Sequence, residues 1–171
     1  MKEHKGMRPQ DIVILLKIIA LGEESWYKKD LATQLYISNS EVSESLNRSV
    51  IGELIERDKK TVRKDELLVF LVYGIKHVFP AVPGSLQRGM PTAYSAPLLE
   101  KDFVVDDPYI WPAKGYSTKG IVIPPLYDTV PKACSEDAAL YELLVLVDAL
   151  RVSKKNEIVV DLLKQKIYQH S

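Results

Sequence analysis

The sequence predicts a mainly α-helical protein with a small β component, and three observations support this fold class. Apolar residues recur at helical spacing before Pro80 and again after Ser135. Nine of the ten prolines lie from Pro80 to Pro131, so this middle stretch is poor helix. The chain has 171 residues, of which 46% are hydrophobic, and this is enough to bury a core. We therefore expect N-terminal helices, a middle that contains some β-structure, and a C-terminal helical pair.

Four helices are predicted in the first half of the chain. Pro9 suits the first turn of the first helix, because a residue at that position does not need its N–H, and Gly22 ends that helix. Helical spacing of apolar residues places the other three. The four predicted helices cover residues 9–21, 28–36, 39 to about 56, and 64–78.

Two β-hairpins are predicted in the proline-rich middle. One covers residues 79–96 and turns at Pro83-Gly84, and the other covers residues 109–123 and turns at Lys114-Gly115. The alternative is an ordered but irregular chain that wraps the helices.

Two more helices are predicted after Ser135. Residues 138–152 are apolar on nearly every side, so that helix must be covered on all sides. In a chain of this length, a second copy of the protein is one expected cover. Ser153 is the predicted N-cap of the last helix, which ends at about Tyr168.

The most informative stretch is residues 30–48, DLATQLYISNSEVSESLNR. Two short helices joined by a turn of about three or four residues form a helix-turn-helix unit, and Ile37 is a single apolar side chain in that turn. Ser38 and Glu41 have the spacing of a capping box, in which the serine accepts from the backbone and the glutamate reaches back. The apolar inner faces of the two helices consist of Leu31, Ala32, Leu35, Val42, Leu46 and Val50, and Leu54 extends the row.

Residues 31–48 resemble the helix-turn-helix of bacterial transcriptional regulators, and Trp26 and the first helix fit its tri-helical core. The arrangement is similar to winged-helix regulators of the MarR type over about residues 10–56. The resemblance implies an N-terminal winged helix-turn-helix over residues 1–98. Residues 99–171 then form a proline-rich connection and a C-terminal helical segment for dimerisation.

Two departures from the family pattern are visible. Tyr36 stands where such turns usually carry glycine, so we expect a side chain in left-handed geometry there. An apolar helix over residues 64–78 also intervenes between the third helix and the wing, which is expected in the first predicted hairpin.

The resemblance implies that the third helix enters the major groove of DNA. With its apolar side turned to the core, the opposite side presents hydroxyl, amide and carboxylate groups. Asn bonds bidentately to adenine, Ser pairs with either kind of base, and Glu accepts from cytosine N4. The candidate contacts on this helix are Asn39, Ser40, Ser43, Glu44, Asn47 and Arg48.

Positive charge for the phosphates must come from outside the third helix, because Glu41 and Glu44 outweigh Arg48. The run RDKKTVRK, residues 57–64, holds five basic residues and one acidic residue. Lysines also open the second helix, whose N-terminal end meets phosphate in this fold. An arginine at the tip of the first hairpin is placed to enter the minor groove. The candidate contacts are Lys28, Lys29, Lys59, Lys60, Arg63, Lys64 and Arg88.

Composition and motifs exclude several other classes. Basic and acidic residues number 23 each, so a DNA site must concentrate its positive charge locally. No apolar run approaches the roughly 20 residues that span a bilayer. One cysteine, Cys134, permits no internal disulfide, and three separated histidines form no zinc cluster. The motifs of hydrolases and phosphate-binding loops are absent from the sequence. We expect a cytoplasmic protein that is not an enzyme and has no cofactor or metal.

The sequence thus predicts a sequence-specific transcriptional regulator that binds double-stranded DNA. We expect a repressor that acts as a homodimer on a pseudo-palindromic operator. The alternative is a protein-interaction adaptor, or an antitoxin-like partner, that uses the same scaffold without reading DNA.

Overall fold

A computed structural model describes residues 6–152 and 155–169 of the chain. Over those residues the protein is 52% helical and 10% strand, which confirms a mainly helical protein with a small β component. No helix among them is long and apolar enough to cross a membrane. The helices are α1 (Pro9–Leu21), α2 (Lys28–Leu35), α3 (Asn39–Ile51), α4 (Lys64–Tyr73), α5 (Ile75–Val78), α6 (Val130–Ser135), α7 (Ala138–Val152) and α8 (Glu157–Gln169). The strands are β1 (Leu86–Pro91), β2 (Tyr109–Pro112) and β3 (Lys119–Val122).

Helices α1, α2 and α3 pack against one another, and a tight turn joins α2 to α3. Tyr36 ends α2 in the left-handed region (φ 56°, ψ 40°), which confirms the geometry expected at this position. Ile37 is buried in the turn, and its N–H donates to the carbonyl of Ala32 (3.0 Å). Val42 and Leu46 are buried, as the spacing of apolar residues predicts.

The start of α3 forms only half of the predicted capping box. Ser38 Oγ accepts from the backbone N–H of Glu41 (3.2 Å), as expected. The Glu41 carboxylate does not reach back; it accepts from Gln10 of α1 (3.1 Å) and from Arg48 (2.5 Å). A charged guanidinium within reach is a stronger partner for a carboxylate than a backbone amide, so this half of the prediction is wrong.

A β-hairpin follows α3, which ends at Ile51 and not near residue 56 as predicted. Ile55 and Val62 form an antiparallel bridge across it. We call residues 54–63 the basic hairpin, because most of the run RDKKTVRK forms its tip and second arm. This hairpin, which lies between α3 and the helix that begins at Lys64, was not predicted from the sequence.

Asp58 closes the tip of the basic hairpin. Its carboxylate accepts from the backbone N–H groups of Thr61 (2.9 Å) and Lys60 (2.8 Å), and from the Thr61 hydroxyl (2.7 Å). These bonds hold the pKa of Asp58 below its usual range. The tip is thus fixed by its own side chain–backbone bonds, as in other Asx turns.

Helices α4 and α5 confirm the predicted helix over residues 64–78, with a break at Gly74. Leu67, Leu71 and Ile75 are fully buried and form its inner face. This face packs against α7 and α8.

The proline-rich middle forms a three-stranded sheet, and both predicted hairpins are wrong. β1 pairs antiparallel with β2 and with β3, while β2 and β3 pair parallel with each other, so the three strands close on themselves. The strands approach closely where glycine stands: a Cβ on Gly89 would overlap the carbonyl oxygen of Trp111. Turn residues mark where strands end, but they do not determine which distant strand becomes the partner.

Helix α7 lies at the centre of the core and is covered within one chain. Its residues from Leu143 to Arg151 are all buried. Helices α1, α5 and α8 and a 3-10 turn, Ala93–Ser95, pack around it. The expectation that a second copy of the protein covers α7 is therefore wrong. The buried cluster extends from the N-terminal to the C-terminal half of the chain. The predicted cap of α8, Ser153, lies outside the described residues.

Replacing Leu46 with Ala is expected to lower the free energy of unfolding by about 2–5 kcal/mol, because the side chain is 1% exposed and its loss leaves a cavity. Urea denaturation measures the change. Ile51→Ala is the matched control: it truncates an exposed side chain of the same helix and should change stability by less than about 0.5 kcal/mol. An unchanged midpoint for Leu46→Ala would contradict the inward orientation of this face.

Candidate nucleic-acid interface

The outer side of α3 carries small polar groups. Asn39, Ser40, Glu44 and Asn47 are exposed, and Ser43 is half-buried. Four of them recur at three- and four-residue spacing and therefore share one face of the helix: Ser40, Ser43, Glu44 and Asn47. This polar face offers hydroxyl, amide and carboxylate groups of the kind that hydrogen-bond to base edges.

Arg48, the sixth predicted contact of α3, is not part of the polar face. It is buried, and its guanidinium donates to Asp11 of α1 through Nε (2.9 Å) and Nη2 (2.7 Å) and to Glu41 through Nη2 (2.5 Å). A guanidinium held by carboxylates inside the protein is not available to a phosphate or a base. We therefore remove Arg48 from the candidate contacts, because it joins α3 to α1.

The same guanidinium offsets the negative charge of α3. Burial raises the pKa of Glu41, but hydrogen bonds from Arg48 and Gln10 outweigh it and hold that pKa below its ordinary value. Glu44 Oε2 lies 3.9 Å from Nη1 of Arg48. Arg48 is thus shared among carboxylates, and α3 brings no spare positive charge to the polar face.

Two basic elements flank α3 at a cleft of about 490 Å³. Lys28 and Lys29, both exposed, come from the start of α2, and the tip of the basic hairpin forms the other wall. Leu46 of α3 also lines this cleft, so the three elements meet there. The cleft is lined by Trp26, Tyr27, Lys28, Lys29, Leu46, Asp58, Lys59 and Lys60.

Lys60 anchors the basic hairpin to the start of α2. Its ammonium donates to the carbonyl of Trp26 (2.6 Å) and lies 3.7 Å from the centroid of the Trp26 ring. Trp26 is itself buried, so this contact fixes the hairpin tip to the core. The other cations of the tip are Arg57, which is exposed, and Lys59, which is half-buried.

Arg63 and Lys64 lie at the base of the basic hairpin, away from its tip. Arg63 is 3.6 Å from Glu56 and 3.9 Å from Glu66, so carboxylates offset its charge. Lys64 is half-buried, and burial lowers its pKa. Both residues are weaker candidates for phosphate contact than Lys28 and Lys29.

Arg88 does not lie at a hairpin tip. It lies within β1 opposite Lys119, and its Nη1 donates to the carbonyl of Ser117 (2.8 Å). The hairpin next to α3 is the basic hairpin, so Arg88 loses the position that suggested a minor-groove contact. We remove it from the candidate contacts.

Two residues outside the predicted set belong to this surface. Tyr27 is 70% exposed, and the ammonium of Lys29 lies 5.8 Å from its ring centroid. Arg57 is exposed at the hairpin tip. The sequence signal for Tyr27 is an aromatic residue directly before two lysines. The signal for Arg57 is its place beside the Asx turn at Asp58.

The turn between α2 and α3 is held by the C-terminal half of the chain. The Tyr36 hydroxyl donates to Glu136 (2.8 Å), which raises the pKa of Tyr36, and the Lys132 ammonium lies 4.1 Å from its ring centroid. The Thr129 hydroxyl donates to the carbonyl of Leu35 (2.7 Å). Contacts from both halves of the chain therefore position α3.

Other chemistry is sparse among the described residues. No group of three His, Cys, Asp or Glu side chains in residues 6–152 and 155–169 is placed to hold a metal ion. Cys134 is buried, and this raises the pKa of its thiol. A thiol in that state is a poor nucleophile.

Comparison with family models, with curated proteins and with solved structures finds no match to this chain. The functional interpretation therefore depends on the geometry and charge of the surface itself.

Proposed function

We propose that this protein is a cytoplasmic, MarR-like transcriptional regulator that binds double-stranded DNA through a winged helix-turn-helix. In this proposal α3 is the recognition helix and the basic hairpin is the wing. One observation supports it: the lysines that open α2 and the tip of the basic hairpin line one cleft with α3, whose polar face is exposed.

This surface carries its basic groups and its base-reading groups on different elements, as DNA recognition requires. Phosphate contacts from basic groups supply affinity without sequence information, and hydrogen bonds to base edges supply specificity. Here the cations lie on the flanking elements, and α3 presents hydroxyl, amide and carboxylate groups. A chain with equal numbers of basic and acidic residues can bind DNA only through such a local concentration of charge.

Asn47→Ala is expected to weaken binding to a selected duplex by about 1–3 kcal/mol while sparing random-sequence DNA, because an amide that reads a base contributes only at the right base. Fluorescence anisotropy with both duplexes measures the difference. Gln165→Ala removes an exposed amide from α8 and is the matched control. Equal losses on both duplexes would show that Asn47 does not read bases.

Replacing Lys28 and Lys29 together with Ala is expected to weaken binding to every sequence. For every phosphate that the variant no longer neutralises, the slope of log affinity against log salt concentration should become shallower by about 0.9. Salt titrations of wild type and variant measure the slope. Lys164→Ala, an exposed lysine of α8, controls for net charge. An unchanged slope would mean that neither lysine contacts phosphate.

We further propose that the regulator is a repressor that occupies its operator as a homodimer. Two recognition helices related by a two-fold axis would bind half-sites about 34 Å apart on a pseudo-palindrome. Such a dimer requires a self-complementary surface away from α3.

The second candidate is a protein-interaction adaptor or antitoxin-like partner. Its support is the buried ion pair of Arg48, which leaves α3 with an exposed carboxylate, Glu44, and no available cation. The salt dependence of binding separates the two candidates. Affinity for DNA falls steeply with ionic strength, whereas affinity for a protein partner that buries apolar surface does not.

A further inference from the structure

The helix formed by α4 and α5 exposes large apolar side chains on the side opposite its buried face. Leu67, Leu71 and Ile75 point into the core. On the outer side, Val69 is 57% exposed and Tyr73 is 64% exposed. The two are four residues apart and therefore adjacent on the helix surface. Contiguous exposed apolar groups of this kind are typical of interaction sites.

Charges of opposite sign lie at the two ends of this apolar pair. Asp65 and Glu66 are exposed and precede Val69, whereas Lys76 is half-buried and His77 is exposed after Tyr73. At 3.6 residues per turn, the outer side of the helix carries an acidic end, an apolar centre and a basic end. The residues of this α4–α5 stripe are Asp65, Glu66, Val69, Tyr73, Lys76 and His77.

The α4–α5 stripe is complementary to itself in one antiparallel register. Val69 and Tyr73 lie equally far along the chain from Leu71, and so do Glu66 and Lys76. When two copies pair about a two-fold axis level with Leu71, Val69 of one copy meets Tyr73 of the other. In the same register Glu66 meets Lys76. A two-fold interface requires this kind of self-complementarity, in which the same patch serves both copies.

We propose that a second copy of this chain docks antiparallel on the α4–α5 stripe. The charge pattern selects this occupant, because a partner of one charge sign would be repelled at one end of the stripe. Intrachain contacts already reach three members of the stripe. Glu66 is 3.9 Å from Arg63, and Asp65 accepts from the Tyr168 hydroxyl. The Lys155 ammonium is 4.8 Å from the Tyr73 ring centroid, and the ring nevertheless stays 64% exposed. The surface would serve the proposed homodimer, but the inference does not depend on DNA binding.

Sedimentation velocity of the full chain without DNA tests the docking surface. The wild type is expected to dimerise at micromolar concentrations. Val69→Asp is expected to give monomers, because it buries an unpaired carboxylate at the centre of the interface. Ile51→Asp is the matched control, since it places the same charge at a similarly exposed aliphatic position of α3 and should leave association unchanged.

Charge reversal tests the register. Glu66→Lys or Lys76→Glu alone is expected to weaken dimerisation about tenfold, because each change turns two symmetry-related attractions into repulsions. The double variant restores both pairs with inverted signs and should return to within about threefold of the wild type. Circular dichroism establishes that each variant is folded.

Three results would overturn the inference: a monomeric wild type, a dimer that Val69→Asp leaves intact, or a double variant that associates no better than the single ones. Because no DNA is present, failure of the DNA-binding proposal would leave these results unchanged.

Discussion

Replacing Arg48 with Ala should lower the free energy of unfolding by about 3–5 kcal/mol. The guanidinium is the partner of Asp11, which is fully buried in α1, so truncation leaves a carboxylate inside the protein without its counter-charge. Glu41 loses its short bond at the same time. Urea unfolding of the variant beside the wild type measures the loss. Arg48→Lys should recover only part of it, because an ammonium cannot form the two-nitrogen fork to Asp11.

Arg57→Ala is the matched control for Arg48→Ala. Arg57 is exposed at the tip of the basic hairpin, and its loss should change stability by less than about 0.5 kcal/mol. Loss of Arg48 should therefore lower stability, whereas loss of Arg57 should lower DNA affinity. Wild-type stability of Arg48→Ala together with weakened DNA binding would show that Arg48 contacts DNA.

Replacing Asp148 with Ala should also cost about 3–5 kcal/mol of unfolding free energy. The carboxylate is buried in α7 and accepts from Trp111 Nε1 (2.6 Å), Thr92 Oγ1 (2.8 Å) and Arg151 Nη1 (2.8 Å). Burial raises the pKa of Asp148, and the charge and hydrogen bonds of Arg151, with the other two donors, counter part of that rise. Its removal leaves the Arg151 guanidinium buried with less compensation and leaves two polar groups between α7 and the sheet without an acceptor.

Thermal and urea unfolding measure the effect of Asp148→Ala. Asp161→Ala removes an exposed carboxylate from α8 and should have almost no effect. A loss of less than about 1 kcal/mol for Asp148→Ala would contradict the role of this cluster in joining α7 to the sheet.

The helices and their inner faces were predictable because their signals are local. Val42 and Leu46 are buried at the spacing that marks one side of α3. Tyr36 occupies the left-handed region that its place in the turn requires. In each case the residues that determine the structure lie within one or two helical turns of one another.

The sheet and the polar contacts were less predictable because they depend on distant residues. β1 finds both of its partners beyond residue 108, and no turn motif encodes that choice. The pairing of Arg48 with Asp11 likewise joins residues far apart in the chain. The basic hairpin differs from the sheet and from the Arg48–Asp11 pair, because its signal is local: Asp58 followed by Thr61 marks a turn beside β-prone residues. That signal outweighs the apolar spacing that predicted a longer α3.

The same distinction applies to the candidate interface. The polar face of α3 follows from helical periodicity alone, so the predicted positions of Ser40, Ser43 and Asn47 agree with their exposure. The role of each cation depends on its neighbours. Lys60 is anchored on Trp26, and Arg88 lies within a strand, and neither fact can be read from a run of basic residues.

Affinity for a duplex selected from a random pool, measured beside an unselected duplex over a range of salt concentrations, tests whether α3 and its basic flanks read DNA. We expect the selected duplex to bind more tightly at every salt concentration, and both affinities to fall linearly with log salt by about 0.9 per phosphate contact. Equal affinity for the two duplexes, or binding that salt does not weaken, would contradict sequence-specific recognition by this surface.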